Sequence, residues 1–179
     1  MPDGNYRPRE PALILLSGLP GSGKTTFAHA LAKRLAFRHV ESDAIRRNMA
    51  RQPTYSARES AAVFARAEAA AGAALESGQH ALIDATNLTT SDRRRFVRLA
   101  GRMGATVFIV RLTAPHAVIR ERLRNPRVGY SQASEAVYEM MESKAQPIAG
   151  GSLVIDTRFD LAPGIDLLWR LVHDDMREG

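Results

Sequence analysis

The chain is 179 residues long, 45% hydrophobic and 25% charged, which is one ordinary globular domain and excludes the disordered and fibrous classes. It holds no cysteine, so a disulfide framework, a thiolate zinc site and a cysteine nucleophile are excluded together. The net charge of +6 is carried almost entirely by arginine, whose flat guanidinium suits bidentate contact with phosphate; a merely solvated basic surface has the same composition.

Residues 1–11 read as a flexible leader, and the apolar run Ala12 to Leu16 is far too short to span a membrane. A cytoplasmic protein is expected. Ala12 to Ser17 reads as a buried strand, Lys24 to Leu35 as a helix, Arg38 to Glu41 as a short strand and Asp43 to Arg51 as a helix. Ser56 with Glu59 predicts a capping box for a long Ala-rich helix that ends at Ser77-Gly78, and His80 to Ala85 follows as a strand. Thr89 with Asp92 predicts a second capping box for a helix running to Met103, then Ala105 to Leu112 as a β-branched strand. Thr113-Ala114-Pro115 starts a helix that Asn125-Pro126 must break, because the residue before proline is pushed out of helical geometry. Ser134 to Ala145 is a further helix, Ser152 to Asp156 a fifth strand and Leu161 to Met176 a closing helix. Strands alternating with helices, several of them continuously apolar, predict an α/β fold: a five-stranded parallel sheet flanked by helices in three layers, spanning residues 12–179.

Gly18-Leu19-Pro20-Gly21-Ser22-Gly23-Lys24-Thr25 satisfies the G-x-x-x-x-G-K-[ST] pattern of a P-loop, and Thr26 continues it. Glycines permit the tight dihedrals and the close approach by which backbone N–H groups wrap a phosphate. Lys24 is expected to reach the β- and γ-phosphates of ATP or GTP, and the Thr25 hydroxyl to ligate Mg²⁺. This is the three-layer P-loop NTPase fold.

Asp43 follows the second strand at its carboxyl end, where open α/β sheets place their ligand crevice. It is placed to orient an attacking hydroxyl, and it also fits the position of a helix N-cap. Arg46 lies one helical turn further on the same face. Asp84 ends an apolar strand as a Walker-B-like carboxylate would, with Thr86 and Asn87 following.

With the P-loop, Asp43-Ala44-Ile45-Arg46 and the Leu82-Ile83-Asp84-Ala85-Thr86-Asn87-Leu88 block, the chain resembles the 5′-hydroxyl polynucleotide kinases. The likeness extends to a wider set of P-loop kinases that includes zeta toxins, gluconate kinases and adenylyl-sulfate kinases. The resemblance implies that Asp43 is the catalytic base, that Arg46 contacts the acceptor and its neighbouring phosphate, and that Asp84 and Asn87 lie near acceptor and metal. Mg²⁺ would then be held by Thr25 with Asp43 or Asp84 through water.

Arg120, Arg124 and Arg127 lie at i, i+4 and i+7, predicting an Arg-rich helix end within a short lid over about residues 120–133. By its distance to the following helix, Arg127 best resembles the lid arginine that neutralises charge on the transferred phosphoryl group, with Lys24 and Asp43 as its catalytic partners. Arg93, Arg94 and Arg95 either line an acceptor channel or form the exposed face of a helix whose core face is Phe96, Leu99 and Met103; the second is favoured. The acceptor expected first is a nucleic-acid 5′-hydroxyl, RNA or DNA. A small-molecule kinase acting on a sugar, antibiotic or nucleotide sugar is the alternative, and a nucleotide-binding regulator without an acceptor is the alternative of another class.

Overall fold

The computed structural model describes residues 10–50, 52–125 and 135–174. At its centre Ala12–Ser17 forms strand β1, buried at every position, because it is paired on both sides and covered on both faces. The other strands are β2 (Arg38–Glu41), β3 (Ala81–Asp84), β4 (Thr106–Thr113) and β5 (Leu153–Asp156). All pairings are parallel, in the order β2-β3-β1-β4-β5. The expected α/β architecture is therefore the one observed, and β1 delivers its carboxyl end to the middle of the sheet.

The helices are α1 (Lys24–Leu31), α2 (Ser42–Met49), α3 (Ala57–Glu76), α4 (Thr90–Met103), α5 (His116–Arg124), α6 (Glu135–Glu142) and α7 (Ala162–Asp174). Alternation along β1 divides the core into two layers. Ile14 and Leu16 pack with Phe27 and Leu31 of α1 and with Ile165, Leu168 and Val172 of α7. Leu13 and Leu15 pack on the opposite face with Ala67 and Ala71 of α3 and with Phe96 and Leu99 of α4. Side chains of successive strand residues point to opposite faces, so one strand serves both layers.

Local signals fix most boundaries. Thr89 and Asp92 form the full capping box, with Asp92 N–H donating to Thr89 Oγ1 at 3.1 Å and Thr89 N–H to Asp92 Oδ2 at 3.2 Å. The box expected at Ser56 forms by half. Ser56 Oγ accepts from Glu59 N–H, but the Glu59 carboxylate accepts instead from Thr54, Tyr55 and Arg46. Helix α1 stops at Leu31, four residues short of the expected Leu35, where the chain turns back toward β2 through i→i+3 bonds such as Arg34 N–H to the Leu31 carbonyl. Among the described residues, no helix is long and apolar enough to cross a membrane.

Candidate active site

The P-loop connects β1 to α1 and takes its shape from two left-handed glycines, Gly21 at φ 79° and Gly23 at φ 93°. Gly23 is also the N-cap of α1, and no side chain caps that helix. Its first-turn N–H groups are thus left for an anion, and no acidic residue in the first turn competes for them. Gly18 permits the close crossing beneath: a Cβ there would stand 2.5 Å from Ser22 Oγ and 2.6 Å from the Leu112 carbonyl. Lys24 Nζ donates to the Gly18 and Leu19 carbonyls, each at 2.9 Å, which holds the ammonium inside the curve of the loop.

A cleft of about 380 Å³ opens at the carboxyl ends of the strands, a volume in the range of small-ligand sites. Pro20, Gly21, Gly23, Lys24, Thr25 and Thr26 form its floor. Glu41, Ser42, Asp43, Tyr55, Asp84 and Thr86 form the wall on the β2–β3 side; Arg122, Thr157 and Leu161 close the β4–β5 side, and Met141 of α6 also contributes. Gly18 and Ser22 lie on the other side of the loop, facing a second, smaller cavity.

The N-cap of α2 is Glu41 and its side chain makes no capping bond, so Asp43 is a residue of the first helical turn and not the cap. Its side chain belongs to the cleft wall. Asp84 is 4% exposed; its Oδ2 accepts from Thr25 Oγ1 at 2.9 Å and lies 3.2 Å from His39 Nε2. The sheet register sets Glu41 opposite Asp84. Hydroxyl and carboxylate oxygens of this kind are the hard donors that Mg²⁺ takes, usually one or two at a time with water and phosphate completing the shell. No cluster of three acidic or histidine side chains able to hold a metal occurs among the described residues.

Three expectations about side chains need correction. Arg46 is on α2 with Asp43 but does not line the cleft: its guanidinium is ion-paired to Glu59 and lies 4.6 Å from the ring centre of Tyr55. Glu59 forms half a capping box, and its carboxylate, held by Thr54 and Tyr55, pairs with Arg46. Asn87 is fully buried in a left-handed conformation at φ 44°, and its Nδ2 donates to the Leu16 carbonyl at 2.6 Å, so it ties the loop after β3 to β1 and is not among the residues that line the cleft. Arg93 is 5% exposed, not part of a solvated face. It donates to the carbonyls of Asn87 (3.1 Å), Leu88 (2.8 Å), Gln146 (3.4 Å) and Pro147 (2.6 Å), and burial lowers its guanidinium from its usual pKa.

Among the lid candidates, Arg120 is half-exposed and lies 3.4 Å from Glu139, Arg124 is exposed, and Arg127 lies outside the described residues. The arginine of α5 that meets the cleft is Arg122, which the i, i+4, i+7 pattern passes over. It donates to the Gly21 carbonyl at 3.2 Å, to Thr157 Oγ1 at 2.8 Å and to the Thr157 carbonyl at 3.0 Å. Arg122 is three residues beyond the buried Ile119, hence on the core side of its helix, and a core-side arginine needs acceptors. That spacing is the signal in the sequence.

A P-loop, a threonine–aspartate pair beneath it and a second carboxylate, Asp43 in the first turn of α2, in one cleft are the features of P-loop kinases. Within that class the chain belongs to the AAA domain family, which matches residues 13–148. It is 28% identical over 137 residues to the L-seryl-tRNA(Sec) kinase of Methanococcus maripaludis, covering 75% of this chain and 53% of that protein. The chain thus spans about half the length of this curated relative. Among solved structures, it is similar to a candidate kinase of Chloroflexus aurantiacus, with TM-score 0.70 and 26% identity over 89% of this chain and 97% of the other. The APS kinase of Mycobacterium tuberculosis in complex with AMPPNP and APS has the same fold, with TM-score 0.70 at 16% identity over 95% of this chain and 99% of the other.

Proposed function

We propose that the protein is an ATP-dependent phosphotransferase that moves the γ-phosphate to a hydroxyl group aligned by Asp43. One observation carries the reading: Lys24, Thr25, Asp84 and Asp43 line a single cleft, the first two on its floor and the two aspartates on the wall of the β2–β3 side. In the reaction the acceptor oxygen bonds to the γ-phosphorus as the bond to the β,γ-bridging oxygen breaks. ADP leaves, and the hydroxyl proton passes to Asp43 or to water. Such transfers need positioning and charge stabilisation more than covalent chemistry from the protein.

Lys24 supplies a point charge at the transferred phosphoryl group, and the uncapped first turn of α1 supplies N–H donors. Thr25 and Asp84 would hold Mg²⁺, directly or through water, and the bound ion would neutralise phosphate charge. Arg122 frames the donor end by joining the loop at Gly21 to Thr157.

Two acceptor classes follow. A nucleic-acid 5′-hydroxyl is supported by the net charge of +6, and an acceptor hydroxyl carried on RNA by a relative named as a kinase of seryl-tRNA. A small-molecule hydroxyl is favoured by Arg46: the cation expected to meet the phosphate beside a 5′-hydroxyl is ion-paired to Glu59 behind the wall. The test is incubation with γ-labelled ATP and Mg²⁺ beside 5′-hydroxyl RNA, 5′-hydroxyl DNA, sugars and aminoglycosides. Acid-stable label on an acceptor with the wild-type protein and none with Lys24→Ala is expected; equal labelling by both removes the P-loop from the reaction.

A further inference from the structure

Among the described residues, two that are not glycine have a left-handed backbone, Asn87 and Tyr55. Asparagine tolerates that region because its short polar side chain bonds locally. A tyrosine does not, and it keeps such a conformation only where its surroundings impose it. Tyr55, at φ 53°, stands immediately before Ser56, the N-cap of α3.

The constraint comes from one buried ion pair. Glu59 Oε2 accepts from Thr54 N–H and from Thr54 Oγ1, both at 2.7 Å, and Glu59 Oε1 accepts from Tyr55 N–H at 3.3 Å and from Arg46. The Arg46 and Glu59 side chains are only 7% and 11% exposed, and the Tyr55 ring centre lies 4.6 Å from the guanidinium carbon. The pair therefore grips Tyr55 twice, its backbone through the carboxylate and its ring through the guanidinium. The turn into α3 uses only the N–H of residue 55, which glycine or asparagine would supply without strain. The ring is what the turn does not need, and Tyr55 lines the cleft on the wall that carries Asp43. Arg46 follows Asp43 by one turn of α2, so the support of the ring and the aligning carboxylate belong to one helix.

We propose that Tyr55 is the residue that seats the acceptor: its ring is the surface against which the acceptor rests while Asp43 aligns the hydroxyl, and Arg46 is a positioning residue that acts through this ring. This rests on the kinase reading above and adds to it a residue that determines acceptor affinity. A tyrosine ring offers a large, rigid contact area at the cost of two side-chain torsions. The contact is made with the carbon frame beside the reacting hydroxyl and not with a charged group of the acceptor. Backbone strain at residue 55 is held in the folded state to keep the ring in the cleft.

The experiment first measures label transfer from γ-labelled ATP by the wild type to glucose, gluconate, kanamycin and a 5′-hydroxyl RNA octanucleotide, and the best-labelled compound becomes the probe. Tyr55→Asn, which removes the ring and suits the left-handed backbone, should lower kcat/KM for the probe by about thirtyfold, chiefly through KM, with KM for ATP within about twofold of wild type. Its melting temperature should stay within about 3 °C of wild type. Tyr55→Phe keeps the ring and should stay within about threefold of wild type for the probe. Should Tyr55→Asn not fold, Tyr55→Gly, equally at ease in this backbone region, takes its place. Unchanged probe kinetics without the ring overturn the proposal, and a loss in Tyr55→Phe as large as in Tyr55→Asn moves the contact to the phenolic hydroxyl and overturns it too. Absence of label from the wild type in every arm fails the kinase reading and the proposal with it, whereas labelling that is indifferent to Tyr55 fails the proposal alone.

A double-mutant cycle tests the part assigned to Arg46. Replacing both buried partners, Arg46→Met with Glu59→Met, leaves no unpaired charge behind. In the wild-type background this should lower kcat/KM for the probe by about tenfold, and in the Tyr55→Asn background by less than about threefold, because the ring it positions is already gone. An equal loss in both backgrounds would make Arg46 an acceptor contact in its own right and overturn the proposal.

Discussion

Thr25 Oγ1 donates a 2.9 Å hydrogen bond to Asp84 Oδ2, joining the first turn of α1 to the end of β3 under the phosphate loop. The P-loop hydroxyl and the strand-end carboxylate come from residues 59 positions apart. The parallel sheet brings them together because β1 and β3 are neighbours although β2 lies between them in sequence.

This pair predicts the metal response. Thr25→Val, which keeps shape and loses the hydroxyl, should raise the Mg²⁺ concentration for half-maximal activity by about tenfold, and Thr25→Ser should restore it. A Mg²⁺ titration of initial rate checks both. An unchanged requirement in Thr25→Val would leave the hydroxyl as a structural hydrogen-bond donor only.

Arg122 connects Gly21 to Thr157 and so sets the width of the donor side. Arg122→Met should raise KM for ATP by about tenfold, a loss near 1.4 kcal/mol, with a smaller effect on kcat. Steady-state kinetics with ATP varied at fixed acceptor measures the split. A fall in kcat alone would instead put the guanidinium on the transferred phosphoryl group.

Arg93 binds carbonyls from the Asp84–Thr89 loop and from Gln146 and Pro147 after α6, holding together two segments that flank the sheet end. Arg93→Met leaves several buried carbonyls without their donor and should cost about 3 kcal/mol of stability. Lysine lacks the planar fork, so Arg93→Lys should recover only a minor part. Urea denaturation midpoints test both, and a loss under about 0.5 kcal/mol would return Arg93 to the solvated face that its neighbours occupy.

The Thr54 hydrogen bonds, together with the Arg46 guanidinium, hold the Glu59 carboxyl down at about 2 from its ordinary 4.5. Between those values the unfolded chain takes up a proton that the folded one refuses. The stability contributed by this carboxylate is therefore complete above pH 4.5 and disappears as pH falls toward 2. Melting temperatures should fall through that window more steeply for wild type than for Glu59→Gln. Parallel acid limbs would mean that Glu59 titrates alike in both states.

The parallel sheet, the P-loop and the strand-end Asp84 were legible in the sequence because they depend on short-range signals: an apolar run, a glycine spacing, an acid at a strand end. Thr89 with Asp92 is of the same kind. What could not be read was which charged side chains turn inward. Arg46 and Asp43 do share a helix, but the spacing is silent about Glu59, which comes from α3 and captures the guanidinium. Arg93 and Arg94 are adjacent and chemically identical, yet only Arg93 meets carbonyls of a segment more than fifty residues away. Asn87 was assigned to the acceptor by the resemblance, while its place inside the β1–β3 corner rests on a tertiary contact with Leu16. Long-range pairing of polar groups is the part of a fold that local pattern does not encode.

In the proposed reaction Asp43 aligns an acceptor hydroxyl for transfer from a nucleotide held by the P-loop. The most direct measurement sets the Mg·AMPPNP dissociation constant of Asp43→Asn beside its rate of label transfer from γ-labelled ATP to whichever acceptor the wild type labels. A dissociation constant within about threefold of wild type and a transfer rate lower by about 10²-fold or more are expected. Transfer at the wild-type rate by Asp43→Asn would contradict it.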